Sequence, residues 1–269
     1  MSGLLYLYGL IPTEEASKES LPAMRGFDGE GKLYTIEIGE VTAIVCDLSS
    51  QEYSEDSLRN KVENDMDWLQ EKAFHHHETV LMVSKLYTII PLKFCTLYKN
   101  EENLKSTIEG NRNKLEATFK QLDGNEEWNV KIYCDDKVLK KQVSENHPSI
   151  EAKRKEISKL PKGRQFFEMK KIDQLVDREL ENEKNRLCEE VHEKLKEHSL
   201  QGNIKKNWSK GATGRQEHMA WNSVFLLPDS KVEEFVEEIK HYEEEMGHAG
   251  WKIEASGPWP PYHFSSFSS

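Results

Sequence analysis

Leu33-Tyr34-Thr35-Ile36-Glu37-Ile38 runs through Gly39-Glu40 into Val41-Thr42-Ala43-Ile44-Val45-Cys46. Two runs rich in β-branched residues, joined by two residues of which the first is glycine, predict a β-hairpin with a type II′ turn. The sheet that contains it needs a helix to cover it. Upstream, Leu4 to Leu10 is an apolar, aromatic run ended by Ile11-Pro12, a strand followed by a breaker. A polar loop with Gly26, Gly29 and Gly31 leads from it into the hairpin. Downstream, Ser54-Glu55-Asp56-Ser57 is a capping region, and Leu58, Val62, Met66 and Leu69 recur at helical spacing. That helix is expected to continue through Phe74 to Val83, with a break near the histidines. Ile89 to Cys95 predicts a strand whose Pro91 suits an edge or a bulge. A helix over 101–122, closed by Asp123-Gly124, and an alternating strand from Trp128 to Cys134 complete the pattern. The order β-β-β-α-β-α-β predicts an α+β domain over 1–134, with helices on one face of its sheet.

The stretch 135–162 is a charged connector, interrupted at His147-Pro148 and so read as two short helices. After Pro161-Lys162-Gly163, Met169, Ile172, Val176, Leu180, Leu187, Val191 and Leu195 form one stripe of a long helix. One small sheet cannot cover such a helix throughout, so it is expected to pack on the connector as a helical hairpin. Ala220 to Leu227 and Trp251 to Ala255 read as strands, with a helix between them carrying Val232, Phe235, Val236 and Ile239 inward. The second domain, 163–269, is therefore also α+β. It ends in Gly257-Pro258-Trp259-Pro260-Pro261-Tyr262-His263-Phe264, a stiff arm with too much apolar surface to stay undocked. Following directly on a strand, the arm is expected to dock on the second domain's own sheet. Trp259, Tyr262 and Phe264 are its candidate partner-binding residues.

The 269 residues carry a formal charge of −11, with 32% charged and 36% hydrophobic residues. That balance predicts a soluble globular chain and argues against nucleic acid as a partner. No run approaches the roughly eighteen apolar residues of a membrane span, and the opening residues lack the pattern of a signal peptide. Cys46, Cys95, Cys134 and Cys188 include no close pair, which predicts buried free thiols rather than a disulfide framework or a zinc site. His75-His76-His77-Glu78 invites a metal reading, and with it a metal-dependent enzyme or regulator. Consecutive helical residues point about 100° apart, however, so the three imidazoles cannot face one ion. No P-loop, nucleophile elbow or dinucleotide fingerprint is present, so no catalytic residue, metal or cofactor is assigned.

Four motifs in order carry a resemblance. They are Leu5-Tyr6-Leu7-Tyr8-Gly9-Leu10, His77-Glu78 ahead of Ile90-Pro91-Leu92-Lys93-Phe94-Cys95-Thr96, Glu127-Trp128-Asn129-Val130-Lys131, and the arm from Gly257 to Phe264. Together they resemble the gas vesicle protein F/L family over essentially the whole chain, closest to its L-type branch. Cys95 stands where glycine is expected in many relatives. The resemblance implies two domains with variants of the ferredoxin fold and a helical extension. It also implies a non-enzymatic accessory role in the cytoplasm, at the gas vesicle. The partners it implies are the hydrophobic main shell protein and other accessory proteins, with neither nucleic acid nor membrane.

Overall fold

The hairpin forms as predicted in the computed structural model, which describes residues 3–265. The chain opens with β1 (Gly3–Pro12) and a short α1 (Thr13–Lys18), then β2 (Tyr34–Ile38) and β3 (Val41–Ser49). Ile38 pairs with Val41 across the turn, where Gly39 takes φ +63°, the positive value that a II′ turn puts on its first central residue. Next come α2 (Glu55–Asn64), α3 (Met66–Ser84), β4 (Ile90–Pro91), β5 (Leu97–Tyr98), α4 (Glu101–Gly110) and α5 (Arg112–Leu122). The strand order is β2-β3-β1-β4, with β5 also beside β1, and β1 runs antiparallel to β3, β4 and β5.

Three expectations are corrected in this half. Every residue from Leu5 to Ile11 is buried, and neighbours along a strand face opposite ways, so the sheet is covered on both faces rather than one. The helix after Ser54 breaks at Asp65, not at the histidines. The Asp65 carboxylate accepts the Trp68 N–H at 3.0 Å and caps a new helix, leaving Val62 and Met66 exposed. The predicted helix over 101–122 is likewise two helices, divided at Asn111. β1 bulges between Leu7 and Gly9, and a Cβ on Gly9 would lie 2.6 Å from Ile89 Cδ1 and 3.2 Å from the Ile90 carbonyl oxygen. That close approach of β1 to β4 requires glycine.

The second half comprises β6 (Asn125–Cys134), α6 (Asp136–Asn146), α7 (Pro148–Ser158), α8 (Lys162–Lys196), β7 (Gln201–Ile204), α9 (Lys210–Thr213), β8 (His218–Pro228), α10 (Val232–Gly247) and β9 (Trp251–Trp259). Its sheet has the order β7-β8-β6-β9. The strand from Trp128 to Cys134, expected in the first sheet, thus lies inside the second. Alternation shows that a segment is a strand but carries no information on which sheet it joins. As expected, α8 lies against α6 and α7, burying Ile172, Val176, Leu180, Val191 and Leu195. Met169, placed on the same stripe, is exposed instead. Pro258 sits within β9, an edge strand, where a missing N–H is tolerated.

The chain divides into two compact units. One is the described part of Met1–Glu127 together with that of Pro258–Ser269, and the other is Trp128–Gly257. The core of the first holds Tyr6, Tyr8, Phe27, Ile44, Val80 and Val83. That of the second holds Val130, Ile132, Val176, Val191, Phe225 and Phe235, and includes Leu139, Val143, Ile150 and Ile157 of the charged connector.

Candidate functional site

The three histidines of α3 point three ways, as consecutive helical residues must. His76, buried, has its Nδ1 2.8 Å from the Tyr6 hydroxyl and its Nε2 3.1 Å from the Leu92 carbonyl oxygen. Carbonyls only accept, so Nε2 carries the proton and Nδ1 accepts from Tyr6. The Tyr6 oxygen in turn accepts the Cys95 N–H at 3.2 Å. Burial holds the His76 imidazole down to about 4, and pushes the Tyr6 and Tyr8 phenols well above the ordinary tyrosine range. His75 Nε2 lies 3.0 Å from the Tyr8 hydroxyl, and burial followed by the nearby Lys72 lowers its pKa. His77 turns away to meet the Trp259 indole at 5.7 Å between ring centroids. The ring nitrogens of His75 and His76 therefore hold the β1 tyrosines in place.

Cys95 is the second feature of this region. It takes φ +62°, the left-handed region that penalises side chains, in a turn closed by the Thr96 N–H on the Lys93 carbonyl at 3.2 Å. This accounts for glycine as the residue expected there. Cys95→Gly is expected to change stability by no more than about 1 kcal/mol, since the lost thiol packing is offset by relief of strain. Cys95→Val, β-branched at positive φ, is expected to cost about 2 kcal/mol. Urea unfolding of the two variants checks the pair, and equal destabilisation would count against strain at this position.

The arm's first residues, Gly257 to Trp259, continue β9 in the second sheet as expected, but the rest of the arm docks on the first unit. Tyr262 packs on the core that contains Tyr6 and Val80, and Phe264 is buried. Glu127, 1% exposed, accepts the His263 backbone N–H at 2.9 Å and the His263 Nδ1–H at 2.6 Å. A buried carboxylate is stable only when paired, and the arm supplies the pairing. Glu127 was legible as part of a motif, but its partner lies on the far side of a whole second unit. Of the candidate binding residues, Trp259 and Tyr262 are thus half-buried and Phe264 is buried.

The surface has its own pattern. Phe166 and Phe167, near the start of α8, are 64% and 68% exposed and pack edge-to-face at 5.8 Å. Lys170 lies over the Phe166 ring, and Lys162, Arg164 and Lys171 are also exposed, so this apolar pair has a basic rim on an acidic chain. A cleft of about 680 Å³ lies in the first unit between Glu15, Glu40, Arg112 and Lys120, and the Arg112–Glu40 ion pair of 2.9 Å borders it. Cys46, Cys134 and Cys188 are buried free thiols, as expected, and Cys95 is a half-buried one. Among the described residues, one group gathers metal-ligating atoms: Cys134, Asp136 and His218. Pairing of β6 with β8 brings this group together.

Fold and site together define a two-sheet α+β protein whose buried histidines and tyrosines serve packing. Crystal structures of the gas vesicle protein GvpF share this fold. That from Anabaena has a TM-score of 0.74 at 21% identity over 100% of both chains, and that from Microcystis aeruginosa 0.67 at 19% over 99% of this chain and 100% of the other. The sequence profile of gas vesicle synthesis protein GvpL/GvpF matches residues 4–266, and the chain belongs to that family, whose proteins take part in gas vesicle formation. It is 22% identical to gas vesicle protein L of a Streptomyces species over 86% of this chain and 82% of that one. It is 23% identical to gas vesicle protein F1 of Halobacterium salinarum, over 98% and 93% respectively, and 25% identical to gas vesicle protein F of a Nostoc species over the full length of both. The likeness thus extends to both branches. No helix among the described residues is long and apolar enough to cross a membrane.

Proposed function

We propose that this protein is a non-enzymatic accessory component of gas vesicle assembly that works in the cytoplasm at the vesicle. In this reading it binds the hydrophobic main shell protein and further accessory proteins of the same structure. The observation that carries it is the exposed Phe166–Phe167 pair with its basic rim. Two phenylalanines more than half exposed are costly in water and suit an apolar partner. Trp259 and Tyr262, anchored by Phe264, form a second contact in the same reading, with Trp259 on His77 and Phe74 exposed one turn before it. The fold is read as two ferredoxin-like variants, because in each sheet the first strand lies between the third and the fourth. A metal-dependent enzyme built on His75 to Glu78 lacks support, since both nitrogens of His76 and the Nε2 of His75 are engaged by tyrosines and a carbonyl.

Capture of the purified main shell protein, in both orientations and at low salt, tests this. Replacing Phe166 and Phe167 together by alanine is expected to weaken capture more than about tenfold, as loss of aromatic anchors does, with the thermal melt unchanged. Failure of the unaltered chain to capture the shell protein in either orientation would remove the reading.

A further inference from the structure

Cys134 ends β6, Asp136 opens α6 and His218 opens the neighbouring β8, so the corner between the connector and the second sheet gathers three different ligand types. Their Sγ, carboxylate oxygen and ring nitrogen all lie within 4.8 Å of one another. Cys134 Sγ is 3.6 Å from Asp136 Oδ1, and that oxygen is 3.9 Å from His218 Nδ1. Ligands of a tetrahedral zinc ion, at about 2.0–2.3 Å from the metal, stand about 3.3–3.7 Å apart. Two of the three separations are therefore close to the edges of such a tetrahedron before any ion enters, and the third is no longer than 4.8 Å. A second observation points the same way: the His218 Nδ1 atom is buried yet has no hydrogen-bond partner. An unsatisfied buried nitrogen is costly, and a metal ion would accept its lone pair. Asp136 and His218 are both about two-fifths exposed, so an ion and a water ligand can reach the site.

The positive charge now at this corner is Lys184. Its ammonium is buried, 2.6 Å from Asp136 Oδ1 and 2.8 Å from Glu181 Oε1. Since it has two carboxylate partners, it can leave Asp136 and keep Glu181.

We propose that Cys134, Asp136 and His218 form a zinc-class metal site, and that Lys184 occupies its charge position until an ion displaces it. On binding, the Cys134 thiol gives its proton to solvent and the metal–sulfur bond forms, while water completes the coordination. The ion ties the β6–α6 corner to the start of β8 and is independent of the shell-protein contact.

Cobalt(II) titration of the full chain under reducing conditions tests the site, because thiolate-bound tetrahedral cobalt absorbs strongly in the near ultraviolet and visible. One equivalent is expected to bind, with zinc displacing it. Cys134→Ser is expected to abolish the charge-transfer band, whereas Cys46→Ser and Cys188→Ser keep it. His218→Gln is expected to weaken binding by about tenfold or more, and serves as the second variant should Cys134→Ser not fold. Lys184→Met, which removes the competing ammonium, is expected to tighten binding about tenfold. Absence of the band, its persistence in Cys134→Ser, or weaker binding by Lys184→Met would overturn the assignment.

Discussion

Phe264→Ala is expected to lower the stability of the first unit by about 3 kcal/mol, the cost typical of truncating a buried phenylalanine. Phe264 is 8% exposed and follows His263, which holds Glu127 through two hydrogen bonds. Glu127→Ala removes both acceptors, and leaves the His263 N–H to water and the arm without its anchor. Its expected cost is about 2 kcal/mol. The two effects concern neighbouring contacts and should not add. Urea unfolding with a tyrosine or tryptophan signal reads both. Capture of the shell protein by the same variants separates two roles for the arm. Lost capture with an unchanged melt makes it an interface, whereas a large fall in unfolding midpoint makes it a structural closure. A Phe264→Ala midpoint equal to that of the unaltered chain would contradict the packing of the arm.

Acidification from pH 7 to pH 4 is expected to remove about 3 kcal/mol through His76 alone. Its pKa falls from 6.5 in the unfolded chain to about 4 when folded, because burial disfavours the imidazolium. The unfolded state therefore binds the extra proton between those values, and the contribution is fully present above about pH 6.5 and lost as pH falls through 4. His76→Gln should be less stable than the unaltered chain at pH 7, and the gap should close by pH 4. That difference, measured by urea midpoints, isolates His76 from the other titrating groups. A gap that stays constant from pH 7 to 4 would count against the assignment. Tyr6→Phe should cost about 2 kcal/mol at pH 7, as the Cys95 N–H and His76 Nδ1 lose their shared partner.

Local chemistry made much of this fold legible. The II′ turn at Gly39, the helix start at Pro148 and the stripe from Ile172 to Leu195 all rest on residues close in sequence, and all form. The family was legible too, because its motifs are spread along the chain and keep their order. What escaped was decided by contacts distant in sequence. Nothing in the alternation of Trp128 to Cys134 says that its neighbours are β8 and β9, and nothing in Pro258 to Phe264 says that Glu127 waits for it. Asp65 broke a helix that the hydrophobic periodicity had carried through, because its carboxylate caps the helix that starts there. At Asn111 the side-chain amide instead donates back to the Thr107 carbonyl oxygen and closes the preceding helix. The Cys134, Asp136 and His218 group lay outside sequence reasoning for the same reason. Its spacing fits no motif, and strand pairing alone assembles it.

Glu127 and His263 also set a timetable for synthesis. Residues 3–127 leave the ribosome first, but their unit is incomplete until 258–265 follow, after all of Trp128–Gly257. At about 5–20 residues per second, that interval is on the order of ten seconds. Throughout it a newborn chain lacks the His263 partner of Glu127 and leaves open the surface that Tyr262 and Phe264 later fill. The intervening unit, continuous in sequence, is free to finish folding before the one that began ahead of it.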